Sequence, residues 1–159
     1  MAFDPKNTTY FKRARFTTRL PNDYVYAPSH YWLCEVEPGL FHIGMTRFAT
    51  RMLGDFVEII VEPATGDAVR SGEPIGTIEG FKAVADLYCA ANGEFCGGND
   101  SLLRDPDLVD SDPYDRGWMY AVRGTPGADA LDVTGYCDLL TATIDKMLED
   151  QADREKKNC

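Results

Sequence analysis

Residues 75–88 read Ile-Gly-Thr-Ile-Glu-Gly-Phe-Lys-Ala-Val-Ala-Asp-Leu-Tyr, and a single lysine, Lys82, lies between two short runs rich in β-forming residues. The residues of the first run alternate between two faces, and the apolar signal resumes at Val84. This pattern predicts a β-hairpin with Lys82 at its tip, where the amine is in water and the backbone is held on both sides. An enzyme that modifies one lysine among several needs such a distinct and accessible position.

A series of short motifs surrounds this hairpin in a fixed order. In chain order they are His30-Tyr-Trp-Leu33, Gly44-Met-Thr-Arg-Phe-Ala49, Leu53-Gly-Asp-Phe-Val-Glu58, Ser71-Gly-Glu-Pro-Ile-Gly76, Asn92-Gly-Glu-Phe95 and the segment from Asp105 to Trp118. From Pro28 to Arg123, their order and spacing resemble those of the H-protein family of the glycine cleavage system and its relatives. The resemblance implies a mainly β, barrel-sandwich hybrid fold of the lipoyl/biotinyl-like type, with lipoate in amide linkage on Lys82.

The immediate neighbours of the attachment lysine are the other candidate site residues. Gly80 and Ala83 give the tip a low steric profile, and Phe81 lies beside the lysine. Glu79 and Asp86 are candidates for orienting the ligase, and solvated turn acids explain them nearly as well.

Three departures from glycine-cleavage H proteins bear on the pathway. Glu79-Gly80-Phe81 stands where those proteins typically have glutamate, serine and valine, and Asp115 stands where glycine is usual. The basic extension Tyr10–Leu20 is also unlike a typical H protein. These features are more similar to the lipoate-binding proteins that work with a heterodisulfide-reductase-like complex in bacterial sulfur oxidation, so that pathway is the first hypothesis and glycine cleavage is the alternative.

The resemblance also implies the partners of such a carrier. They are a lipoate-protein ligase or lipoyltransferase, and then either a heterodisulfide-reductase-like complex or the glycine cleavage enzymes, including dihydrolipoamide dehydrogenase. An ordinary lysine amine is mostly protonated at neutral pH, so the ligase must supply an activated donor and the carrier only presents the amine. The resemblance implies a cofactor carrier and not an enzyme; such a carrier needs no triad or metal of its own, and the sequence offers no convincing one.

Two further functions compete with lipoyl carriage. The first is biotin carriage on a similar hairpin. It is disfavoured, because biotinyl domains typically flank their lysine with methionines, whereas Lys82 has Phe81 and Ala83. A binding or scaffold protein that keeps the barrel without a lipoyl group is the alternative from a different class.

Composition favours one domain with a single core, because the chain has 159 residues and is 44% hydrophobic. No apolar run approaches the roughly 18 residues that span a bilayer. The N-terminus lacks the apolar region of a secretory signal. We therefore expect a cytoplasmic protein without membrane partners.

The net charge of −10 is unevenly distributed. Residues 1–30 carry five basic and two acidic side chains, or +3, which leaves −13 for the remainder. Such an acidic body argues against nucleic-acid binding, which depends on neutralising phosphates. It favours solubility and attraction to basic partner surfaces.

The five cysteines of a cytoplasmic chain are expected to be reduced. Cys89 and Cys96 are symmetric about Asn92-Gly93, and a tight hairpin there would make them cross-strand neighbours, either as buried structural thiols or as a functional dithiol. Zinc-ligand spacing is absent. Cys34 and Cys137 carry no assigned role, and Cys159 is expected to be exposed.

The segment Asp100–Asp115 holds six aspartates and one arginine. Asp105, Asp107, Asp110 and Asp112 offer oxygen ligands for calcium. The glycine and the closing glutamate of an EF-hand are missing at their proper spacing. An acidic connecting loop is therefore favoured over a calcium site.

The remaining pattern divides the chain into four parts. They are a basic N-terminal extension at 1–27, a lipoyl-carrier domain at 28–124, a C-terminal amphipathic helix within 125–150 and a charged, fraying tail at 151–159. Aromatic residues in the extension predict that it wraps onto the barrel.

A hairpin is predicted at Pro38-Gly39, and a short helix is predicted from Thr46 through Met52, ending at Gly54. The C-terminal apolar stripe comprises Tyr136, Leu139, Leu140, Thr143, Ile144, Met147 and Leu148, and it predicts either packing on the barrel or a partner-binding helix.

Overall fold

A computed structural model describes residues 3–157 of the chain. The strands are β1 (Thr8–Arg13), β2 (Phe16–Pro21), β3 (Val25–Ala27), β4 (Tyr31–Glu37), β5 (Leu40–Met45), β6 (Phe56–Val61), β7 (Ala68–Val69), β8 (Pro74–Gly80), β9 (Val84–Tyr88), β10 (Ala91–Gly98) and β11 (Tyr120–Pro126). The helices are α1 (Arg47–Leu53), α2 (Ser101–Arg104), α3 (Leu108–Ser111) and α4 (Val133–Lys157).

The strands form two principal sheets and a separate hairpin. The larger sheet has the order β3-β4-β5-β11-β10-β7, and the smaller has the order β6-β8-β9, while β1 pairs only with β2. Side chains from both principal sheets, including Ile43, Ile78, Leu87 and Val122, share one hydrophobic core. The mainly β sandwich predicted from the sequence is therefore confirmed.

The short helix α1 has the ends that the sequence predicts. The Thr46 side chain accepts a hydrogen bond from the backbone N–H of Ala49, and the helix ends at Gly54 with φ of +79°. That backbone conformation favours glycine, because a side chain there is sterically strained. The helix crosses from β5 to β6 and so brings its C-terminal end beside the lysine hairpin.

A second, aromatic cluster joins the two ends of the chain to the barrel. Tyr26 stacks on Tyr136 with ring centroids 4.7 Å apart, and Trp32 is buried in the same cluster. The N-terminal extension therefore wraps onto the barrel, as its aromatic residues predict. The β1–β2 hairpin continues this contact by packing against α4.

Helix α4 differs from its prediction in two respects. It continues to Lys157, through residues that the sequence assigns to a fraying tail; Cys159 lies outside the described residues. The first part of the apolar stripe is buried, as at Tyr136, Leu140 and Ile144. Met147 and Leu148 are 39% and 46% exposed, so the stripe extends beyond the surface that it packs against.

The predicted hairpin at Asn92-Gly93 is wrong. Both residues lie inside β10, which pairs with β11 on one side and β7 on the other. A Cβ atom on Gly93 would lie 2.0 Å from the carbonyl oxygen of Arg123, so the close approach of two strands, and not a turn, requires glycine here. Cys89 and Cys96 are consequently not paired across a hairpin; Cys89 is buried and Cys96 is partly exposed.

The acidic segment after β10 contains the short helices α2 and α3 and not an open loop. Two of its carboxylates serve the fold, since Asp110 accepts a bond from the backbone N–H of Phe56 and Asp112 accepts one from that of Arg116. Within residues 3–157, no cluster of histidine, cysteine, aspartate or glutamate side chains could hold a metal ion. Over the same range, no helix has the length and hydropathy needed to cross a bilayer.

Candidate functional site

Lys82 lies at the tip of the β8–β9 hairpin, as the sequence predicts. The strands are in register from Glu79 opposite Val84, and the backbone N–H of Gly80 donates to the carbonyl of Ala83 over 2.9 Å. The side chain of Lys82 is exposed. The turn thus holds the backbone while it leaves the amine in solvent.

Two further backbone bonds fasten the tip to the junction between α1 and β6. The N–H of Phe81 donates to the carbonyl of Asp55 at 3.0 Å, and the N–H of Lys82 donates to the carbonyl of Leu53 at 3.1 Å. A hairpin tip normally exposes such groups to water. Here they dock on neighbouring backbone, so the tip has a fixed position on the barrel.

Glycines at positions 54 and 80 allow this close contact. A Cβ atom on Gly80 would lie 2.3 Å from the carbonyl oxygen of Leu53, and one on Gly54 would lie 2.8 Å from Cγ of Lys82. Both distances are shorter than a carbon side chain tolerates. The sequence identifies Gly80 as a small neighbour of the lysine but Gly54 only as the end of a helix, because the contact of Gly54 with Lys82 is created by the fold.

The amine of Lys82 makes one long polar contact. Its Nζ atom lies 3.4 Å from the carbonyl oxygen of Arg51 in the last turn of α1. Among the described residues, no carboxylate forms a salt bridge with it. The contact is weak and solvent-facing, so it leaves the amine accessible for acylation.

The predicted neighbours of the lysine are arranged around the tip. Glu79, Ala83 and Asp86 are exposed, and Phe81 is 81% exposed. The carboxylate of Asp86 accepts a hydrogen bond from Tyr88 at 3.4 Å, which ties it to its own strand. The exposed ring of Phe81 is the most unusual of these features, because an aromatic side chain gains nothing for folding in that position.

Two buried tyrosines fix the far end of β9. The Tyr31 hydroxyl accepts from the backbone N–H of Tyr88 at 3.1 Å. The Tyr120 hydroxyl accepts from the N–H of Ala90 at 3.0 Å and donates to the carbonyl of Tyr88 at 2.9 Å. Burial raises the pKa of both hydroxyl groups, so they remain protonated at neutral pH.

Burial disfavours the charged forms of three cysteines and of His30. Burial raises the pKa of the thiols of Cys34, Cys89 and Cys137. Since the thiolate is the reactive form, these cysteines are less reactive than exposed ones at neutral pH. His30 is mostly buried, and burial lowers its pKa to about 4. The accessible nucleophile at the tip is therefore the Lys82 amine.

Clefts flank the tip on several sides. One of about 290 Å³ lies between α1 and the tip and is lined by Arg47, Arg51, Asp55 and Asp110 among others. A second of about 290 Å³ lies on the side of Ala83 and Ala85 and is mainly apolar. A larger groove, of about 480 Å³, lies on a third side. The tip is therefore bordered on these sides by open space, part of which is apolar.

Comparison with known proteins gives a consistent result. A sequence model of the glycine cleavage H-protein family matches residues 24–139. The glycine cleavage system H protein of Rubrobacter xylanophilus is 41% identical over 119 residues, which are 74% of this chain and 91% of that protein. That of Enterobacter sp. (strain 638) is 35% identical over 126 residues, or 77% of this chain and 97% of that protein. The crystal structure of a glycine cleavage system H protein from Mycobacterium marinum superposes with a TM-score of 0.67 at 31% identity, and covers 75% of this chain and 97% of that one.

Proposed function

The chain belongs to the glycine cleavage H-protein family, and from that premise we propose that Lys82 is the residue that carries its covalent lipoyl group. As a member of this family, the protein is a lipoyl carrier and not an enzyme. The observation that supports Lys82 is its exposed side chain at a tip whose backbone is bonded to Leu53 and Asp55. Glu79, Gly80, Phe81, Ala83 and Asp86 are proposed as the neighbours that a ligase meets.

The residues at the tip fit an acylated lysine. Gly54 and Gly80 remove side chains that would crowd its root, and the flanking clefts provide apolar surface. When bound, lipoate supplies a dithiolane whose sulfurs take part in thiol–disulfide exchange. The chain itself contributes a fixed attachment point, which keeps the bound cofactor at high effective concentration for successive enzymes.

For the pathway, we propose glycine cleavage, with the glycine cleavage enzymes as partners. The support is the identity of 35–41% to glycine cleavage system H proteins over nearly their whole length. This choice favours the alternative and not the first hypothesis from the sequence. The cytoplasmic location and the ligase or lipoyltransferase that modifies Lys82 stay predictions.

The sulfur-oxidation role is the second candidate, and specific observations favour it. The β1–β2 hairpin and the end of α4 lie outside residues 24–139, yet both lie near Lys82. The exposed Phe81 follows Gly80 directly before the lysine. These additions alter the surface next to the attachment point, which is where a different partner would be recognised.

Intact mass spectrometry tests the attachment site. After incubation with lipoate, ATP and a lipoate-protein ligase, the wild-type chain should gain one lipoyl increment, and Lys82→Arg should gain none. Lys146→Arg, on the exposed side of α4, is the matched control and should be modified like the wild type. An increment that persists in Lys82→Arg would overturn the assignment.

Reconstitution tests the pathway. The lipoylated protein should support turnover with glycine decarboxylase and its aminomethyltransferase. Turnover only with a heterodisulfide-reductase-like complex would overturn the glycine-cleavage proposal and support the sulfur-oxidation role.

A further inference from the structure

A groove of about 480 Å³ lies between the β1–β2 turn, α1 and the last turns of α4. Lys82 lines it, so the groove adjoins the proposed attachment point. Its apolar side chains come from all three elements and are Phe16, Phe48, Met52, Ile144, Met147 and Leu148. Met52, Met147 and Leu148 are substantially exposed, which leaves an apolar surface without a covering segment in the described chain.

Two of the three walls come from segments outside residues 24–139, the part that matches the family. The guanidinium of Arg13, at the end of β1, donates two hydrogen bonds of 2.8 Å to the carboxylate of Asp145 on α4. Phe16 packs edge-on against Phe48 of α1, with ring centroids 5.5 Å apart. The added segments therefore build a defined groove against the carrier domain.

The rim of the groove is cationic on an otherwise acidic protein. Five cationic side chains line it, namely Arg13, Arg15, Arg51, Arg154 and Lys82, against one carboxylate, Asp150. Asp145 neutralises Arg13, and acylation would remove the charge of Lys82. The remaining charged side chains of the lining are three arginines, Arg15, Arg51 and Arg154, and one carboxylate, Asp150. This local excess of positive charge lies on a chain of net charge −10.

We propose that this groove is a binding site for an oxyanion, a carboxylate or sulfonate, carried on a short aliphatic chain. The apolar floor accepts the aliphatic part, since burying it removes apolar surface from water. Arginine binds planar or tetrahedral oxyanions through paired N–H donors and keeps its charge at every physiological pH. A cationic amine on the same chain is disfavoured by repulsion from the rim.

The inference deepens the proposed carrier function and rests on it for the link to the arm. Lys82 lines this groove, so an aliphatic arm attached to it can lie along the groove, and the rim then selects between charged groups at the end of the arm. In glycine cleavage, the rim repels the cationic aminomethyl group. In sulfur oxidation, an anionic sulfur group is retained.

A titration of the unlipoylated protein tests the site itself. Hexanesulfonate should shift the amide resonances of Ala14, Phe16, Met52 and Met147 and should bind about tenfold more tightly than hexylammonium at equal ionic strength, a difference of about 1.4 kcal/mol. Equal binding of the two probes, no binding by either, or shifts confined to other surfaces would overturn the proposal.

Paired variants test the arginines. The double variant Arg15→Gln/Arg51→Gln should weaken hexanesulfonate binding about tenfold, and Arg154→Gln provides an independent second variant. The matched control, Arg70→Gln/Arg104→Gln, removes two exposed arginines elsewhere and should leave binding unchanged. A double variant that is folded by circular dichroism and binds like the wild type would also overturn the proposal.

Chemical loading of the arm distinguishes a free anion from one carried by the protein. The reduced lipoylated protein is alkylated with iodoacetate or iodoacetamide; each thiol forms a sulfur–carbon bond, iodide leaves and a proton is released. Only the iodoacetate product is anionic, and it should shift the groove amides more than the neutral product does. Unlipoylated protein treated identically controls for the cysteines.

The outcomes separate this inference from the carrier function. If the protein cannot be lipoylated, the carrier proposal fails while the hexanesulfonate titration still decides the groove. If hexanesulfonate binds but the two alkylated arms give the same shifts, the link to the arm is overturned and a free-anion site stands.

Discussion

Gly54 and Lys82 are in direct contact: a Cβ atom at position 54 would lie 2.8 Å from Cγ of the lysine and 3.0 Å from its backbone nitrogen. The end of helix α1 is thus shaped around the root of the proposed attachment side chain. The same glycine has φ of +79° and ψ of −169°, a backbone region that side chains rarely adopt.

Gly54→Ala should therefore lower stability and slow lipoylation together. Backbone strain predicts a loss of about 1–3 kcal/mol in the free energy of unfolding, measured in urea. The displaced lysine should be modified more slowly by the ligase, which timed mass spectrometry measures. Gly39→Ala is a matched control, because Gly39 also has a positive φ of +78° but has no atom within 4 Å of the position that a Cβ would take. If both variants were lipoylated at the wild-type rate, the contact with Lys82 would have no role in presentation.

Tyr120→Phe should loosen the far end of the lysine hairpin. The fully buried hydroxyl satisfies both the N–H of Ala90 and the carbonyl of Tyr88. Its removal leaves these groups without that partner, at a cost of about 1–3 kcal/mol in the free energy of unfolding. Hydrogen exchange at the Ala90 amide should accelerate. Tyr10→Phe, at an exposed tyrosine on β1, is the control, and an Ala90 amide as protected as in the wild type would contradict the expected role.

Gly44→Ala should destabilise the barrel through Trp32. The added methyl would lie 2.7 Å from the indole ring, which is 1% exposed and donates its N–H to the carbonyl of Pro113. Overpacking of this kind costs about 1–3 kcal/mol. In the background Trp32→Phe, the smaller ring should reduce the penalty of Gly44→Ala. Urea unfolding of the four proteins measures the coupling, and strictly additive losses would show that the two residues do not interact.

His30 should make the protein less stable in mild acid. Burial lowers its pKa from an ordinary 6.5 to about 4. As the pH falls from about 6.5 to 4, the unfolded chain binds a proton on this residue and the folded chain does not. The free energy of unfolding contributed by His30 is therefore constant above pH 6.5 and falls by up to about 3 kcal/mol towards pH 4.

The variant His30→Asn isolates this contribution. Asparagine tolerates the positive φ of 73° at this position and does not titrate. The difference in stability between the wild type and the variant should change between pH 7 and pH 4. A difference that is constant with pH would exclude His30 as the cause. His42, whose pKa is also lowered by burial, and Asp115, whose pKa is raised, are present in both proteins and cancel.

Sequence patterns were sufficient to predict an element where a few neighbouring residues determine its conformation. The alternation around Lys82 identified the hairpin, and Thr46 and Gly54 identified both ends of α1, because a cap and a glycine of positive φ act within a few residues. The helix stripe from Tyr136 onwards identified α4. The division into parts at residues 27 and 124 stays a prediction, whereas the boundary predicted at 150 lies inside α4.

The sequence did not predict features that depend on contacts between residues distant in the chain. Asn92-Gly93 has the composition of a tight turn, yet Gly93 is required by contact with Arg123 and Gly124 on β11. The contribution of Arg51 and Gly54 to the site follows from the crossing of α1 beside the hairpin. The groove follows from two segments more than a hundred residues apart that meet at Arg13 and Asp145. None of these relationships is encoded by neighbouring residues alone.

The attachment tip is held through main-chain atoms, from Phe81 to Asp55 and from Lys82 to Leu53. Its conformation therefore does not depend on which side chain projects at position 81. A library at that position would change what a ligase recognises without altering how the lysine is displayed, which makes this turn a natural starting point for engineering mutually exclusive carrier–ligase pairs.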